Sequence, residues 1–562
     1  MLRILCLIAV CAAALAGPRP PSVKLMHVPV PMRDGVHLYA NVFLPSEHGR
    51  FAAILIRTPY GKGEQLVPNW QALEDHGYAV MVEDVRGRYE SEGIFEPLTQ
   101  EPDDGNDTLN WMARQAWCDG KIGMTGGSYL GIVQWKLAVT NNPHLKAIFP
   151  VVSGDDDYRD RFYSAGGAMK LGNRLLWMSE NLHTAGYLPD FNKYVWHLPL
   201  RTADVAATGG TSEMFQQALA HPTYDKFWRS ISTRENLDKV RVPVFSVGGL
   251  YDNFAESDLE AFAAVHKNSG INRILIGPWP HNMSVPFPGV DFGPEAAVPI
   301  RALTIEWFDQ WLSGKDTPVV SEPPMRIFVT GANKWLEAHD WPPEHAHPLT
   351  FYLESGGHAN SLSGDGVLRD RLPTRYATDR YVFDPRNPTP TRGGSVCCNP
   401  RVFPWGPIDQ RPVEQRRDVL VYTTRPLKTE VEAVGPVKVE LWVSTSVRDT
   451  DFTAKLVDVF PDGYARNLTD GILRLRYRNS LEHPELAHPG QLYEIAIDAG
   501  IVSNVFAKGH RIRVEISSSN FPRFDRNPNT GTSIADETHL TPANQTIYHD
   551  KDRPSRLVLT VM

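Results

Sequence analysis

The chain contains few cysteines for its length: five in 562 residues, two of them within the first eleven positions. Beyond those two, only Cys118, Cys397 and Cys398 remain, an odd and sparse set that excludes a small fold defined by disulfides. The adjacent Cys397 and Cys398 also lack the neighbouring histidines and acidic residues of a metal site. They are interpreted as a structural pair, with a vicinal disulfide or reactive thiols as alternatives.

An excess of positive charge is also missing. The net charge is −8 at pH 7, which provides no polycationic surface for nucleic acid. The composition is otherwise that of a globular protein, with 42% hydrophobic and 22% charged residues. A chain of 562 residues is long enough for about two to four domains. A nucleic-acid partner is therefore not expected, and the sequence leaves open whether the chain forms a homo-oligomer.

The N-terminus carries an apolar run, MLRILCLIAVCAAALA, over residues 1–16. The run is shorter than the roughly 20 residues that a membrane-spanning helix needs. It contains one Arg3 and ends in the small-residue sequence Ala14-Leu15-Ala16. This pattern predicts a cleaved signal peptide and export to the periplasm or the medium, with no membrane association after cleavage. A short membrane anchor and a buried first helix are the alternatives.

Apolar periodicity divides the remaining chain into four parts. Residues 21–154 alternate apolar runs with helical stretches, which predicts a mainly parallel sheet of βαβ units. Residues 155–238 carry aromatics in irregular helical patterns such as AMKLGNRLLWMSENL, which predicts a helical cap inserted over the sheet. Residues 239–314 return to the sheet pattern. Residues 315–562 alternate polar and apolar positions, as in PVKVELWVST and DFTAKLVDVF, and predict an all-β sandwich or jelly roll.

The clearest catalytic motif is IGMTGGSYLG, in which an apolar strand runs through glycines into Ser128 and then into a helical pattern. This resembles the nucleophile elbow of α/β-hydrolases, where glycines flank a strained serine whose Oγ projects at the start of a helix. The second glycine falls one place late, at Gly131. A glycine-rich strand-to-helix turn without catalytic function is therefore the alternative.

A nucleophilic serine needs a base and a residue that orients it, and in this fold they follow in the order Ser, Asp, His. Apolar VPVFSVGG leads into Asp252, and apolar RILIGPW leads into His281. The sequence thus predicts a triad of Ser128, Asp252 and His281 that transfers an acyl group without cofactor or metal. The oxyanion would be bound by the Tyr129 N–H and by a donor from the loop Thr58-Pro59-Tyr60-Gly61.

Several further motifs match one group: PMRDGVHLYANVFLP, RTPY, DVRGRYESEG, GLYDNF, GPWPH and SSSNFPRFDRNPNTG. With these motifs the mature chain resembles the cocaine esterase and X-Pro dipeptidyl-peptidase (S15-like) hydrolases, which include α-amino acid ester hydrolases and glutaryl acylases. The resemblance implies a hydrolase domain, a helical cap and a C-terminal jelly roll. It also implies a Gly-x-Ser-Tyr-x-Gly elbow, which accounts for Gly131, and a tyrosine hydroxyl as second oxyanion donor, at Tyr60.

The resemblance also bears on the substrate. The α-amino acid ester hydrolases carry acidic residues two and three places after the triad aspartate, where this chain has Phe254 and Ala255. Phe162 falls where cocaine esterase contributes an aromatic residue. Phe162 and Phe254 are therefore predicted to line an aromatic or apolar acyl pocket, unless both are core residues. Asp155, Asp156 and Asp157 are interpreted as solvated loop charges, with negative charge for a basic substrate as the alternative.

The predicted function is an exported serine hydrolase that cleaves carboxylic esters. The alternative is an X-Pro dipeptidyl peptidase or a β-lactam or glutaryl acylase acting on amides, which would need a polar anchor for a substrate terminus. A non-catalytic binding protein, whose β domain is the working part, is the third hypothesis.

Overall fold

A computed structural model describes residues 22–562 except residues 270 and 375. The predicted signal peptide lies outside the described residues. Within those described residues, no helix is both long and apolar enough to cross a membrane.

The first part of the chain alternates strands and helices, as its apolar periodicity predicts. Its elements are β1 (Val23–Pro31), β2 (His37–Leu44), β3 (Phe51–Thr58), α1 (Pro68–Asp75), β4 (Ala79–Asp84), α2 (Glu101–Ala113), β5 (Cys118–Gly127), α3 (Tyr129–Ala138) and β6 (Leu145–Val151). β3, β4, β5 and β6 pair in parallel. Their sequences are largely apolar because helices cover both faces of a parallel sheet. β1 and β2 add an antiparallel edge.

Short helices then form a cap between residues 152 and 243. They are α4 (Leu171–Asn181), α5 (Phe191–Tyr194), α6 (Ala203–Thr208), α7 (Glu213–Ala220) and α8 (Lys226–Ile231), with a π-helical turn at Asp157–Phe162 and 3₁₀ turns at Leu200–Thr202 and Arg234–Lys239. Aromatic side chains from these segments, Tyr158, Phe162 and Trp228 among them, pack together in one apolar cluster. The same cluster includes Leu250 of the sheet and Phe521 of the C-terminal part, so the cap shares its core with both.

The chain next returns to the sheet. This part comprises β7 (Val244–Tyr251), α9 (Ala255–Ser269), β8 (Asn272–Pro280), α10 (Ile300–Phe308), β9 (Met325–Val329) and β10 (Lys334–Ala338), with single turns at Pro294–Ala296, Asp309–Ser313 and Pro318–Val320. The ten strands lie in the order β1-β2-β4-β3-β5-β6-β7-β8-β9-β10. Consequently, the carboxyl ends of β5, β7 and β8 meet at one edge of the sheet.

The sheet continues beyond residue 314, where the sequence pattern predicts the start of the β domain. β9 pairs in parallel with β8, Met325 lying opposite Ile274, and β10 pairs with β9. A local alternating pattern identifies a strand but not the sheet that it joins, because both sheets offer an apolar face. The two strands therefore extend the hydrolase sheet.

The C-terminal part is rich in β structure. It consists of β11 (His347–Glu354), β12 (Val367–Arg369), β13 (Thr378–Phe383), α11 (Arg411–Glu414), β14 (Leu420–Thr423), β15 (Val431–Thr445), β16 (Asp451–Val459), β17 (Ala465–Arg474), a 3₁₀ turn at Leu475–Tyr477, β18 (Tyr493–Phe506), β19 (Arg511–Ser517), β20 (Ala543–Tyr548) and β21 (Arg556–Val561). The predicted fold class, an α/β-hydrolase domain with a helical cap and a C-terminal jelly-roll β domain, is confirmed.

The β domain contacts the cap directly. The Met169 N–H donates to Asp525 Oδ1 at 2.7 Å, and the Gly172 N–H donates to the Pro522 carbonyl at 2.7 Å. A side chain at Gly172 would meet that carbonyl at 2.6 Å, so α4 approaches the loop closely only because residue 172 is glycine. This packing fixes α4 above the strand ends that carry Ser128, Asp252 and His281.

Candidate active site

Ser128 occupies a strained turn between β5 and α3. Its backbone has φ 57° and ψ −123°, a combination that a residue with a side chain rarely adopts. The turn is held because the Ser128 N–H donates to the Val151 carbonyl at 2.9 Å. A Cβ at Gly131 would lie 2.6 Å from Ser153 Cβ, so the late glycine lets α3 pack against the chain after β6. The serine side chain is thereby presented at the N-terminus of α3.

The structure brings the predicted base and orienting residue to this serine. His281 Nε2 lies 3.1 Å from Ser128 Oγ, and His281 Nδ1 lies 2.7 Å from Asp252 Oδ1. Asp252 follows β7 and His281 follows β8, so both project from the carboxyl ends of neighbouring parallel strands. The Asp252 side chain is fully buried and the His281 side chain is 14% exposed. Nδ1 therefore donates to the carboxylate, which leaves Nε2 free to accept the serine proton.

The two predicted oxyanion donors lie beside Ser128. The Tyr129 N–H opens α3 and has no intrahelical acceptor. The Tyr60 hydroxyl interacts with Ser128 and accepts a hydrogen bond from Trp177 Nε1 at 3.0 Å. Since Trp177 supplies that donor, the phenolic proton of Tyr60 is free to donate to an oxyanion. Burial raises the pKa of Tyr60, so the phenol stays protonated through neutral pH.

We expect Tyr60→Phe to lower kcat for ester hydrolysis roughly 100- to 1,000-fold, because the hydroxyl would donate to charge that develops only in the transition state. KM should change much less, and steady-state kinetics separates the two constants. Tyr89→Phe is the matched control: its exposed hydroxyl donates to the Tyr60 backbone carbonyl at 2.7 Å, but its side chain does not line the pocket that contains Ser128. A Tyr60→Phe enzyme with the kcat of Tyr89→Phe would exclude Tyr60 as an oxyanion donor.

The two predicted pocket phenylalanines lie in different places. Phe254 lines the pocket that contains Ser128 and His281, and its ring centroid is 5.7 Å from that of His281. Phe162 instead lines an adjacent cavity of about 220 Å³ with Trp228 and Phe227. Met214, Leu98 and Pro97 border both spaces. The structure thus places Phe254 at the serine and Phe162 one compartment away.

Sequence reasoning did not identify the residues that α4 contributes to the Ser128 pocket: Asn173, Arg174 and Trp177. Arg174 and Trp177 are three positions apart and so share one face of the helix. An arginine on the same face as a tryptophan, in a helix otherwise rich in leucine, is the signal that could have revealed them. This face of α4 carries Arg174 and Trp177 toward the pocket that contains Ser128.

Cys397 and Cys398 also line this pocket and are joined in a vicinal disulfide. The Cys397 N–H donates to Asn173 Oδ1 at 3.4 Å, so the pair is anchored to α4. The interpretation as a structural pair and its disulfide alternative are thus both compatible with this position. The third cysteine among the described residues, Cys118, is a free, buried thiol.

The interpretation of Asp155, Asp156 and Asp157 as solvated loop charges is wrong. All three are buried, with exposures of 1%, 1% and 0%. They pair with arginines and a lysine: Asp155 with Arg234, Asp156 with Arg159 and Arg234, and Asp157 with Lys136 and Arg161. Arg159 and Arg161 lie within four residues of their partners, but Lys136 and Arg234 are distant in sequence, so local charge did not reveal that the run is buried. These carboxylates support the loop under the cap.

Models of two protein families match the chain. The model described as X-Pro dipeptidyl-peptidase (S15 family) covers residues 34–283. The model described as X-Pro dipeptidyl-peptidase C-terminal non-catalytic domain covers residues 318–558. The first match spans the β strands that carry the three triad candidates, and the second spans the C-terminal strands.

Individual relatives match over nearly the whole chain. Cocaine esterase from Rhodococcus sp. (strain MB1 Bresler) is 39% identical over 567 aligned residues, covering 95% of this chain and 98% of that protein. A solved structure of an α-amino acid ester hydrolase superposes with a TM-score of 0.84 at 25% identity, covering 99% of this chain and 100% of that one. An aminopeptidase from a marine sediment archaeon, Thaumarchaeota archaeon, gives 0.83 at 26% identity, with 96% of each chain covered.

Proposed function

We propose that this chain, which belongs to the S15 family of X-Pro dipeptidyl-peptidases and cocaine esterase, hydrolyses carboxylic esters through an acyl-enzyme on Ser128. The family matches and the 39% identity to cocaine esterase confirm the resemblance inferred from the motifs. The protein is accordingly a serine hydrolase that acts on esters. The observation that supports the catalytic assignment is the hydrogen-bonded series Ser128, His281, Asp252, at 3.1 and 2.7 Å.

In the proposed mechanism, His281 Nε2 takes the Ser128 proton as Oγ attacks the ester carbonyl carbon. The buried Asp252 carboxylate stabilises the imidazolium that forms and holds the tautomer. The carbonyl oxygen gains charge between the Tyr60 hydroxyl and the Tyr129 N–H. His281 then returns the proton to the departing alcohol, and a water molecule activated by the same histidine releases the acid.

The pocket favours esters over peptides with a free amino terminus. A dipeptidyl peptidase needs a carboxylate to bind the substrate ammonium, and Asp160 is the carboxylate that lines this pocket among the described residues. Its Oδ2 already accepts from the Asp155 and Asp156 N–H groups, at 3.0 and 2.7 Å, and from the Ser257 hydroxyl at 2.7 Å. Phe254, Met214 and Leu98 provide apolar contacts instead. We therefore propose apolar or aromatic acyl groups as substrates.

The test is a panel of 4-nitrophenyl acetate, butyrate and benzoate beside the 4-nitroanilides of alanine and Gly-Pro, assayed with the purified mature chain. We expect the esters to be hydrolysed with kcat/KM well above that of either anilide, because the Asp160 carboxylate is already engaged by three donors at Oδ2. Benzoate turnover would support the aromatic acyl group. A higher kcat/KM for the Gly-Pro anilide than for every ester would move the assignment to a peptidase.

A further inference from the structure

Arg174 is a cation in the active-site pocket without an acidic partner. Its Nε and Nη2 both donate to the Arg161 carbonyl, at 3.3 and 2.9 Å, and Nη1 donates to none of the described residues. The guanidinium lies 4.5 Å from the Phe162 ring centroid and 5.6 Å from that of Trp177. Among the residues that the structure describes, its partners are thus a neutral carbonyl and two aromatic faces, which hold its plane in place.

This position is costly for a charged group. Burial, and secondly the nearby Arg161 charge, lower the pKa of Arg174 to about 9, so the guanidinium remains charged at neutral pH but is poorly stabilised. The Arg174 side chain is nevertheless partly exposed, at the wall of the pocket. A largely desolvated charge without a counter-ion destabilises a folded protein. An anion bound beside it would remove much of that cost.

Asn173 provides a second donor in the same pocket. Its side chain is 4% exposed, and its Nδ2 has no hydrogen-bond partner among the described residues. The amide orientation follows from the Cys397 N–H, which donates to Oδ1 and so leaves Nδ2 as the free group. Buried amide donors are normally satisfied, so this one indicates an acceptor that is supplied by a ligand.

The other charged groups around the pocket are already paired. Arg161 forms an ion pair with Asp157. Asp160 is held by two backbone N–H groups and a serine hydroxyl, and burial with repulsion from Asp156 and Asp155 raises its pKa to about 6. The two carboxylates of the adjacent cavity, Glu96 and Glu213, are solvent-exposed. Arg174 is therefore the cation of this pocket that is available to a substrate.

We propose that Arg174, assisted by Asn173, binds a carboxylate carried by the ester substrate. The inference rests on the proposed ester hydrolysis at Ser128 and narrows its substrate class to esters with a negatively charged group. A guanidinium offers a planar pair of donors that matches a carboxylate, and the Asn173 amide adds a third. The apolar contacts from Phe254, Leu98 and Met214 would pack against the carbon chain between the ester and the carboxylate.

The test compares substrates that differ only in charge. Mono-4-nitrophenyl glutarate and 4-nitrophenyl valerate place the carboxylate or a methyl group at the end of the acyl chain. The butyrate ester of 4-hydroxybenzoate and phenyl butyrate make the same comparison on the alcohol side. We expect the wild type to favour the charged member of one pair, and Arg174→Leu to lower kcat/KM for that member roughly 10- to 100-fold while sparing the neutral one. The pair that responds identifies the side of the ester that carries the carboxylate.

Arg174→Lys should retain part of the preference, because it keeps the charge but loses the planar pair of donors. Competitive inhibition of wild-type valerate hydrolysis by glutarate, relative to neutral glutaramide, tests the site without any substitution. If Arg174→Leu lowers kcat/KM equally for charged and neutral esters, Arg174 only positions Trp177 and Tyr60. That result would overturn the proposal. Equal inhibition by glutarate and glutaramide would also overturn it. Absence of wild-type turnover of all four esters would instead contradict the proposed esterase function.

Discussion

Replacing Ser128 with alanine is expected to lower kcat for 4-nitrophenyl ester hydrolysis by roughly a million-fold. The residual rate is the one that the oxyanion donors and substrate binding still support. The substitution removes the atom that would bond to the acyl carbon, and His281 at 3.1 Å has no equivalent hydroxyl to deprotonate. Stopped-flow assays measure the rate of ester hydrolysis by the wild type, and long-time assays at the same ester concentration measure that of Ser128→Ala. The folded state should be unaffected, since the strained turn is held by the Ser128 N–H and the neighbouring glycines.

Ser153→Ala is the matched control for that substitution. Ser153 lies directly behind the elbow, where it contacts the position of Gly131, and it is 1% exposed. Its Oγ makes no hydrogen bond within the described part of the chain, so removing it breaks no polar contact. Ser153→Ala should keep the wild-type kcat. Comparable losses in the two variants would mean that disruption of the elbow, rather than removal of the nucleophile, causes the effect.

Asp252→Asn is expected to lower kcat by roughly 10⁴-fold with little change in structure. The amide would donate to His281 Nδ1, where the carboxylate accepts from it at 2.7 Å. The histidine proton would then move to Nε2, so the nitrogen facing Ser128 could no longer act as a base. The imidazolium would also lose its buried counter-charge. Steady-state kinetics measures the loss, and an NMR spectrum of the imidazole nitrogens reports the tautomer.

Asp258→Asn controls for a charge-neutral substitution in the same buried region. Burial, followed by repulsion from Asp252, raises the pKa of Asp258 well above its ordinary range, so replacing this carboxyl with a neutral amide is a mild change. Its Oδ1 accepts the Gly154 N–H at 3.0 Å, a bond that asparagine can retain. Activity close to wild type is expected. An Asp252→Asn enzyme as active as Asp258→Asn would remove Asp252 from the triad.

The hydrolase fold and the triad positions were predictable because they depend on local patterns. Each of the strands β5, β7 and β8 ends directly before one of the three candidates. Parallel strands bring their carboxyl ends together at one edge of the sheet. The order Ser128, Asp252, His281 is therefore visible without knowing any distance. The confirmed family membership follows from motifs spread over the same elements.

The pocket walls could not be predicted in the same way. Whether Phe162 faces the serine or the adjacent cavity depends on how the cap packs on the sheet. The disulfide of Cys397 and Cys398 reaches the pocket from a loop that is more than 200 residues away from α4 in sequence. The assignment of β9 and β10 to the first sheet likewise depends on pairing with β8, a long-range contact. Such placements are determined by tertiary packing, which local periodicity does not record.

The central claim is that Ser128 is the nucleophile of an esterase, and labelling with a fluorophosphonate tests it most directly. The purified protein is titrated with the probe while residual 4-nitrophenyl butyrate hydrolysis is measured, and the labelled peptide is identified by mass spectrometry. The account predicts one phosphonyl group per chain, located on Ser128, with activity falling in proportion to labelling. Attachment to another residue, or full ester turnover by a chain completely labelled at Ser128, would contradict it.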